Sequence, residues 1–188
     1  LTQNDQFAQV PAVAIGYRMP DPGSRDYIPA WALGELLLAG DASRLYQGLV
    51  KGQELLIQVQ GGMGWPLGDA VSNGGPSMLV VFGLTRPATP ADRVVGTVQK
   101  ELDRLARGAL TGAEVERVKI KMISDFYTDL EPLINRADRL AVRQALTGDA
   151  ASLNHIPAQI NDVTPADLTR VAGTYLTVQN RSWINRLP

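Results

Sequence analysis

Apolar and polar positions along this chain change period several times, and each change marks an element. Residues 8–18 read Ala-Gln-Val-Pro-Ala-Val-Ala-Ile-Gly-Tyr-Arg and close on the turn cluster Met19-Pro20-Asp21-Pro22-Gly23, which predicts a strand with Pro11 near its start. Ile28, Trp31, Leu33, Leu36, Leu37 and Leu38 then supply an apolar face wide enough for a largely buried helix. Ser24 and Asp26 offer capping oxygens, and Pro29 is tolerated only in a first turn, so the start is expected near Tyr27 or Ile28. Gly40-Asp41 ends this helix, and a short second one is expected over residues 43–51, with Leu45 and Leu49 four apart on one face.

Residues 55–60 alternate weakly and read as a strand. It runs into Gly61-Gly62-Met63-Gly64-Trp65-Pro66 and a stretch so rich in Gly, Ser, Asn and Pro that a loop is expected up to Met78. Residues 78–84, Met-Leu-Val-Val-Phe-Gly-Leu, are a short continuous apolar run, as in a strand buried on both faces or at a sheet centre.

The second half changes to helical periodicity. Thr89-Pro90-Ala91-Asp92 places a hydroxyl, a proline and an acid in the order that opens a helix, and Val94, Val95, Val98, Leu102 and Leu105 follow before Gly108. Thr111-Gly112-Ala113-Glu114 is a capping box ahead of Val115, Val118, Met122, Ile123 and Phe126. Residues 132–146 form another helix ending at Gly148. An irregular stretch is expected to Asp162, and Thr164-Pro165-Ala166-Asp167 repeats the start signal ahead of Leu168, Val171, Ala172 and Tyr175. Residues 182–187 read as a closing strand. This order predicts an α+β two-layer sandwich, a mostly antiparallel sheet packed against several helices. Leu36, Leu37, Leu45, Leu79, Val81, Val98, Leu102, Val118, Met122 and Phe126 are the expected core.

At 188 residues the expectation is a single domain over 1–188. Eighteen Lys and Arg against nineteen Asp and Glu give a net charge of −1, which supplies no field for a phosphate backbone, so nucleic acid is not an expected partner. The most apolar stretch, residues 30–39, is broken by Gly34 and Glu35, and no membrane span is expected. The first residues, Leu1-Thr2-Gln3-Asn4-Asp5, do not read as a leader. With no cysteine there is no disulfide or thiolate-metal argument.

Candidate chemistry is sparse. The lone histidine, His155, has no partner at i+3 or i+4, whereas zinc needs three or four convergent ligands, and no GxSxG elbow supplies a serine for it to activate. Gly61-Gly62-Met63-Gly64 is a poor phosphate loop because it does not lead into a helix. The same glycines let a peptide backbone approach closely, so Gly61, Gly62 and Trp65 are candidate contacts for an extended substrate, against the plainer reading of a bulged connection. Arg44 and Tyr46 fall on different helical faces and do not converge, and the helix is expected to pin its ends through Ser43 and Arg44. Glu35, Glu54, Asp69, Glu114 and Glu116 read as caps and solvated faces.

Two runs carry a family resemblance: Val-Pro-Ala-Val-Ala-Ile-Gly-Tyr-Arg-Met-Pro-Asp-Pro at 10–22 and Gly-Asp-Ala-Ser-Arg-Leu-Tyr-Gln-Gly-Leu-Val at 40–50. The segments 111–119, 136–140 and 163–168 match in the same order. Together they resemble the second domain of one half of a pitrilysin or insulinase-type zinc metallopeptidase. The resemblance implies two related α+β domains per half, with zinc held by an HxxEH helix in the first domain. That motif is absent here, so no cofactor and no catalytic or metal-binding residue is expected in this chain, and zinc is expected in a first domain that the chain does not contain.

The implied partners are that zinc-bearing domain, a second half closing like a clamshell, and a peptide substrate. Ser43, Arg44, Leu45, Tyr46 and Gln47 form the family motif, read as structural. Some second halves carry a substrate-gripping Arg and Tyr after this motif, and here Val50 and Ile57 stand at those positions, without donors. The implied role is a non-catalytic domain of a bacterial peptidase, forming chamber wall and partner-half interface, in a periplasmic or secreted setting or otherwise a cytoplasmic one. The alternative is a non-proteolytic scaffold or assembly protein of the same fold.

Overall fold

β2 (Ala12–Met19) alternates, and its alternation decides which way the sheet faces. Val13, Ile15, Tyr17 and Met19 are buried on one side, while Ala14, Gly16 and Arg18 point to the other. The computed structural model describes all of residues 1–188. Around β2 lie β1 (Thr2–Asn4), β3 (Leu56–Met63), β4 (Ser77–Thr85) and β5 (Arg181–Leu187) in the order β1-β5-β2-β4-β3. β1 runs parallel to β5, and every other pairing is antiparallel.

Of the helices, α1 (Tyr27–Leu38), α2 (Ala91–Ala106) and α6 (Pro165–Tyr175) pack on the inner face, α3 (Gly112–Asp129) and α5 (Ile156–Asn161) pack against α1, and α4 (Leu133–Thr147) lies outside them against residues 150–155. This is the α+β two-layer sandwich of the sequence reading. α1 is apolar on nearly every side because it is surrounded, by β3 below and by α3, α5 and α6 around it. All ten expected core residues are buried. Tyr17, buried beside them, directs its hydroxyl to Gln99 Oε1 at 3.2 Å, and burial pushes that phenol up to about 12.

Several local expectations need correction. The second helix is a π-helical segment over Tyr46–Gly52, with the Gln53 N–H donating to the Gly48 carbonyl five residues back, although Leu45 and Leu49 are buried as the spacing required. Asp26 does not cap α1; its carboxylate accepts from Arg170 at 2.6 Å and Tyr175 at 3.2 Å. Gly61 and Gly62 lie inside β3 instead of a loop, because β4 pairs with them at Val81 and Val80. β1 and α5 were not expected at all, being only three and six residues long.

β4 is interior but not buried on both faces. Leu79 and Val81 enter the core, whereas Met78 is 45% exposed and Val80, Phe82 and Leu84 are half-buried. With Ala14 and Ile184 they make an apolar strip on the outer face of the sheet, flanked by Arg18, Gln58, Gln60 and Ser182 on the same face and covered at Phe82 by Trp65.

Candidate functional site

β3 is the last strand of its edge, so one row of its backbone groups has no strand beside it. A cleft of about 290 Å³ opens against that edge, between the end of β3, the following loop, α1 and α3. Gly61, Gly62 and Trp65 all line it, joined by Trp31, Glu35, Asp69 and Arg139.

The two glycines differ in what holds them. Both have positive φ, 146° and 152°. A Cβ on Gly61 would lie 1.9 Å from the Val80 carbonyl oxygen, whereas one on Gly62 would meet nothing within 4 Å. Gly61 therefore serves the approach of β4, and the free space lies at Gly62. Trp65 rests against Phe82 with ring centroids 5.8 Å apart, tilted by 39°, which fixes it as an apolar wall.

Charge lines the opposite side. Arg139 of α4 donates from Nε to Asp129 at 2.8 Å and from Nη1 to Asp69 at 2.8 Å and to the Ser72 hydroxyl. Asp69 also accepts the N–H groups of Val71 and Ser72 at 2.8 and 2.9 Å, closing a tight turn. Burial alone would raise its carboxyl, but Arg139 and these amides outweigh it and hold it below its ordinary value. Tyr27 ties the same loop to α1 by donating to the Ala70 carbonyl at 2.8 Å.

Glu35 accepts from Trp31 Nε1 at 3.3 Å and lies 3.7 Å from Lys121, which also pairs with Asp125. Burial pushes the Glu35 carboxyl up, against the pull of Lys121. It is thus neither a cap nor a solvated face, correcting the sequence reading. Four carboxylates share two cations along this wall. Trp31, Glu35, Asp69 and Arg139 carried no separate signal: each has an ordinary helical or turn role in sequence, and they converge only through the fold.

The Ser43–Gln47 motif lies elsewhere. Arg44 reaches Glu101 of α2 at 2.7 Å, Glu114 of α3 at 2.9 Å and the Ala109 carbonyl at 2.7 Å. It fastens the α2–α3 junction to the π-helical segment. Leu45 is core, Tyr46 lies beneath Lys51 Nζ at 5.9 Å, and Gln47 donates to the Asp41 carbonyl at 2.6 Å. Ser43 is buried and its hydroxyl has no partner, so the segment is pinned by Gln47 and Arg44 and not by Ser43. Val50 and Ile57 lie outside the cleft.

The residues present do not fit zinc. No group of three or more His, Cys, Asp or Glu side chains is placed to hold a metal ion, and His155 is exposed where α5 begins. Nor does the cleft pair a nucleophile with a base. What converges there is an open strand edge, two indoles and a charged rim.

At 27% identity over 163 residues, 87% of the chain aligns with 35% of the zinc protease PqqE of Helicobacter pylori. The fold matches that of a Helicobacter pylori protease with a TM-score of 0.86 at 25% identity, over 100% of this chain and 43% of that one. It also matches the inactive peptidase domain of a candidate zinc protease from Bordetella parapertussis, with a TM-score of 0.83 at 22% identity, over 97% of this chain and 95% of that one. The chain thus spans well under half the length of the first two relatives. Residues 2–122 match the family described as the peptidase M16 inactive domain, and the chain belongs to that family.

Proposed function

We propose that this chain is the non-catalytic domain of a zinc-dependent peptidase, and that the β3 edge and its cleft form part of the wall along which an extended peptide lies. The observation that carries this reading is the open edge of β3, with unobstructed space at Gly62, beside the indoles of Trp31 and Trp65. An extended peptide gains main-chain hydrogen bonds at such an edge, and apolar pockets beside it hold alternate side chains. No residue here takes part in bond cleavage. Zinc and the activated water belong, in this reading, to another domain of the parent protein, and the contact with a partner half belongs to the assembled enzyme.

Substrate preference in the full-length parent tests the proposal. Trp65→Ala should change the relative kcat/KM among peptides of different length, with zinc content unchanged. Equal changes for every peptide, or none, would remove the cleft from the substrate path. A parent that neither holds zinc nor cleaves peptides would instead favour a scaffold built on the same fold.

A further inference from the structure

The loop between β3 and β4 runs along α4, and its contacts set a register. Arg139 donates to Asp69 and to the Ser72 hydroxyl, while Gly74 sits so close to Leu146 that a Cβ there would meet its Cδ2 at 2.5 Å. Asn73 therefore falls opposite the turn of α4 between those two contacts, which carries Arg143. Burial raises the Tyr27 phenol, and the Asn73 amide and the Arg143 guanidinium both pull it back, so both lie beside that hydroxyl. Asn73 Nδ2 also donates to the Gly75 carbonyl at 2.6 Å, which folds the side chain forward over Gly74. Arg139 holds two carboxylates, whereas Arg143 donates to the Ser152 hydroxyl at 3.1 Å and pairs with none.

Asn73-Gly74 is the one place in the chain where asparagine precedes glycine; the other six asparagines are followed by Asp, Arg or His. The following residue decides whether its backbone nitrogen can reach the side-chain carbonyl carbon, because a Cβ there crowds the approach. Gly74 has none, and its N–H donates to no acceptor in the protein, whereas the N–H groups of Val71 and Ser72 are held by Asp69.

We propose that Asn73 is a site of spontaneous deamidation in the folded protein, and that Arg143 receives the carboxylate that forms. The Gly74 nitrogen gives up its proton to hydroxide, bonds to Asn73 Cγ and closes a five-membered succinimide. The Cγ–Nδ2 bond breaks, and Nδ2 leaves as ammonia with a proton taken from water. A water molecule then cleaves one of the two ring C–N bonds. Cleavage at Cγ leaves aspartate, and cleavage at the main-chain carbonyl leaves isoaspartate. Either product carries one more negative charge than Asn73, and nothing is oxidised or reduced. A carboxylate cannot donate to the Gly75 carbonyl as Nδ2 does, and it turns instead to the guanidinium beside it. The chemistry stands whether or not the neighbouring cleft takes a peptide.

The full-length parent is incubated folded and, in parallel, unfolded in urea at the same mildly alkaline pH, and the peptide containing residue 73 is followed by mass spectrometry. It should gain about 1 Da as NH2 is exchanged for OH. The folded rate should lie within about a hundredfold of the unfolded one, and Gly74→Ala should slow it about tenfold or more. A folded rate slower than that would mean that the reaction waits on unfolding, and would overturn the proposal. Asn73→Asp supplies the carboxylate directly and tests its partner. It should lower the thermal midpoint by about 2 °C or more further in an Arg143→Gln background than in the parent. An equal change in both backgrounds would show that Arg143 does not receive the charge, and would overturn the proposal equally.

Discussion

Gly61 and Gly62 have nearly the same φ and opposite surroundings. At Gly61 a methyl group would run into the Val80 carbonyl, so Gly61→Ala should force β3 and β4 apart and cost about 3 kcal/mol or more, the strain of the φ angle plus the clash. Gly62→Ala meets open space and should cost only the strain, about 1 to 2 kcal/mol. Urea unfolding of the two variants compares them, and equal losses would mean that β3 slides to absorb the methyl. Leu102→Ala, at 1% exposure, should cost about 2 to 5 kcal/mol. The same scale shows the limit of reading single residues. The tetrapeptide Thr-Pro-Ala-Asp occurs twice, and at Thr164 it forms a full capping box with Asp167. At Thr89 it does not: Ala88 has a φ of 62°, the Thr89 N–H closes a turn onto Arg86, and Pro90 becomes the cap position. Capping chemistry was legible in sequence, but the turn that withdrew Thr89 from it was not.

Elements divide into those held by burial and those held by charge. α2 has seven buried residues and α4 none. Backbone amides of α4 in the 188-residue chain should therefore exchange with solvent about a hundredfold or more faster than those of α2, as hydrogen exchange followed by mass spectrometry would show. Slower exchange in α4 would mean that its charged anchors outweigh burial. Arg44 belongs to the second group, for its guanidinium joins three elements at 16% exposure. Arg44→Ala leaves Glu101 and Glu114 facing each other and should cost about 2 to 4 kcal/mol, with Arg44→Lys recovering part of it. A variant as stable as the parent would show that the α2–α3 junction is fixed by its apolar contacts alone. Periodicity located both helices, but only for α2 was an apolar face read from the sequence. For α4 the bounds alone were legible, and which of its sides meets the body of the protein became visible only in the fold.

Across the whole molecule, the carboxyls of Asp5, Asp69, Glu114 and Asp167 lie below their ordinary values, each bonded to an arginine or to backbone amides. Such groups bind protons less readily folded than unfolded, so their contribution is complete above the ordinary carboxyl range near about 4 and is lost as pH falls through and below it. Glu35, raised by burial, acts in the opposite sense just above that range. Four against one predicts a thermal midpoint that holds from neutrality to about pH 5 and drops below about pH 4. A midpoint that rose on acidification would overturn this balance. The layered architecture followed from element order, whereas the cleft did not, since Gly61, Trp31 and Arg139 meet only after the sheet is assembled. That assembly has its own timetable. β5, the last of the five strands in sequence, lies between β1 and β2, the first two. Until it arrives, β2 offers an unpaired edge with Val13, Ile15 and Tyr17 beside it, a template for any extended chain nearby. A chain cut after Asn180 should therefore aggregate rather than remain a slightly smaller version of the same sheet, because the sheet closes only when a strand more than 160 residues downstream of β2 slots in beside it.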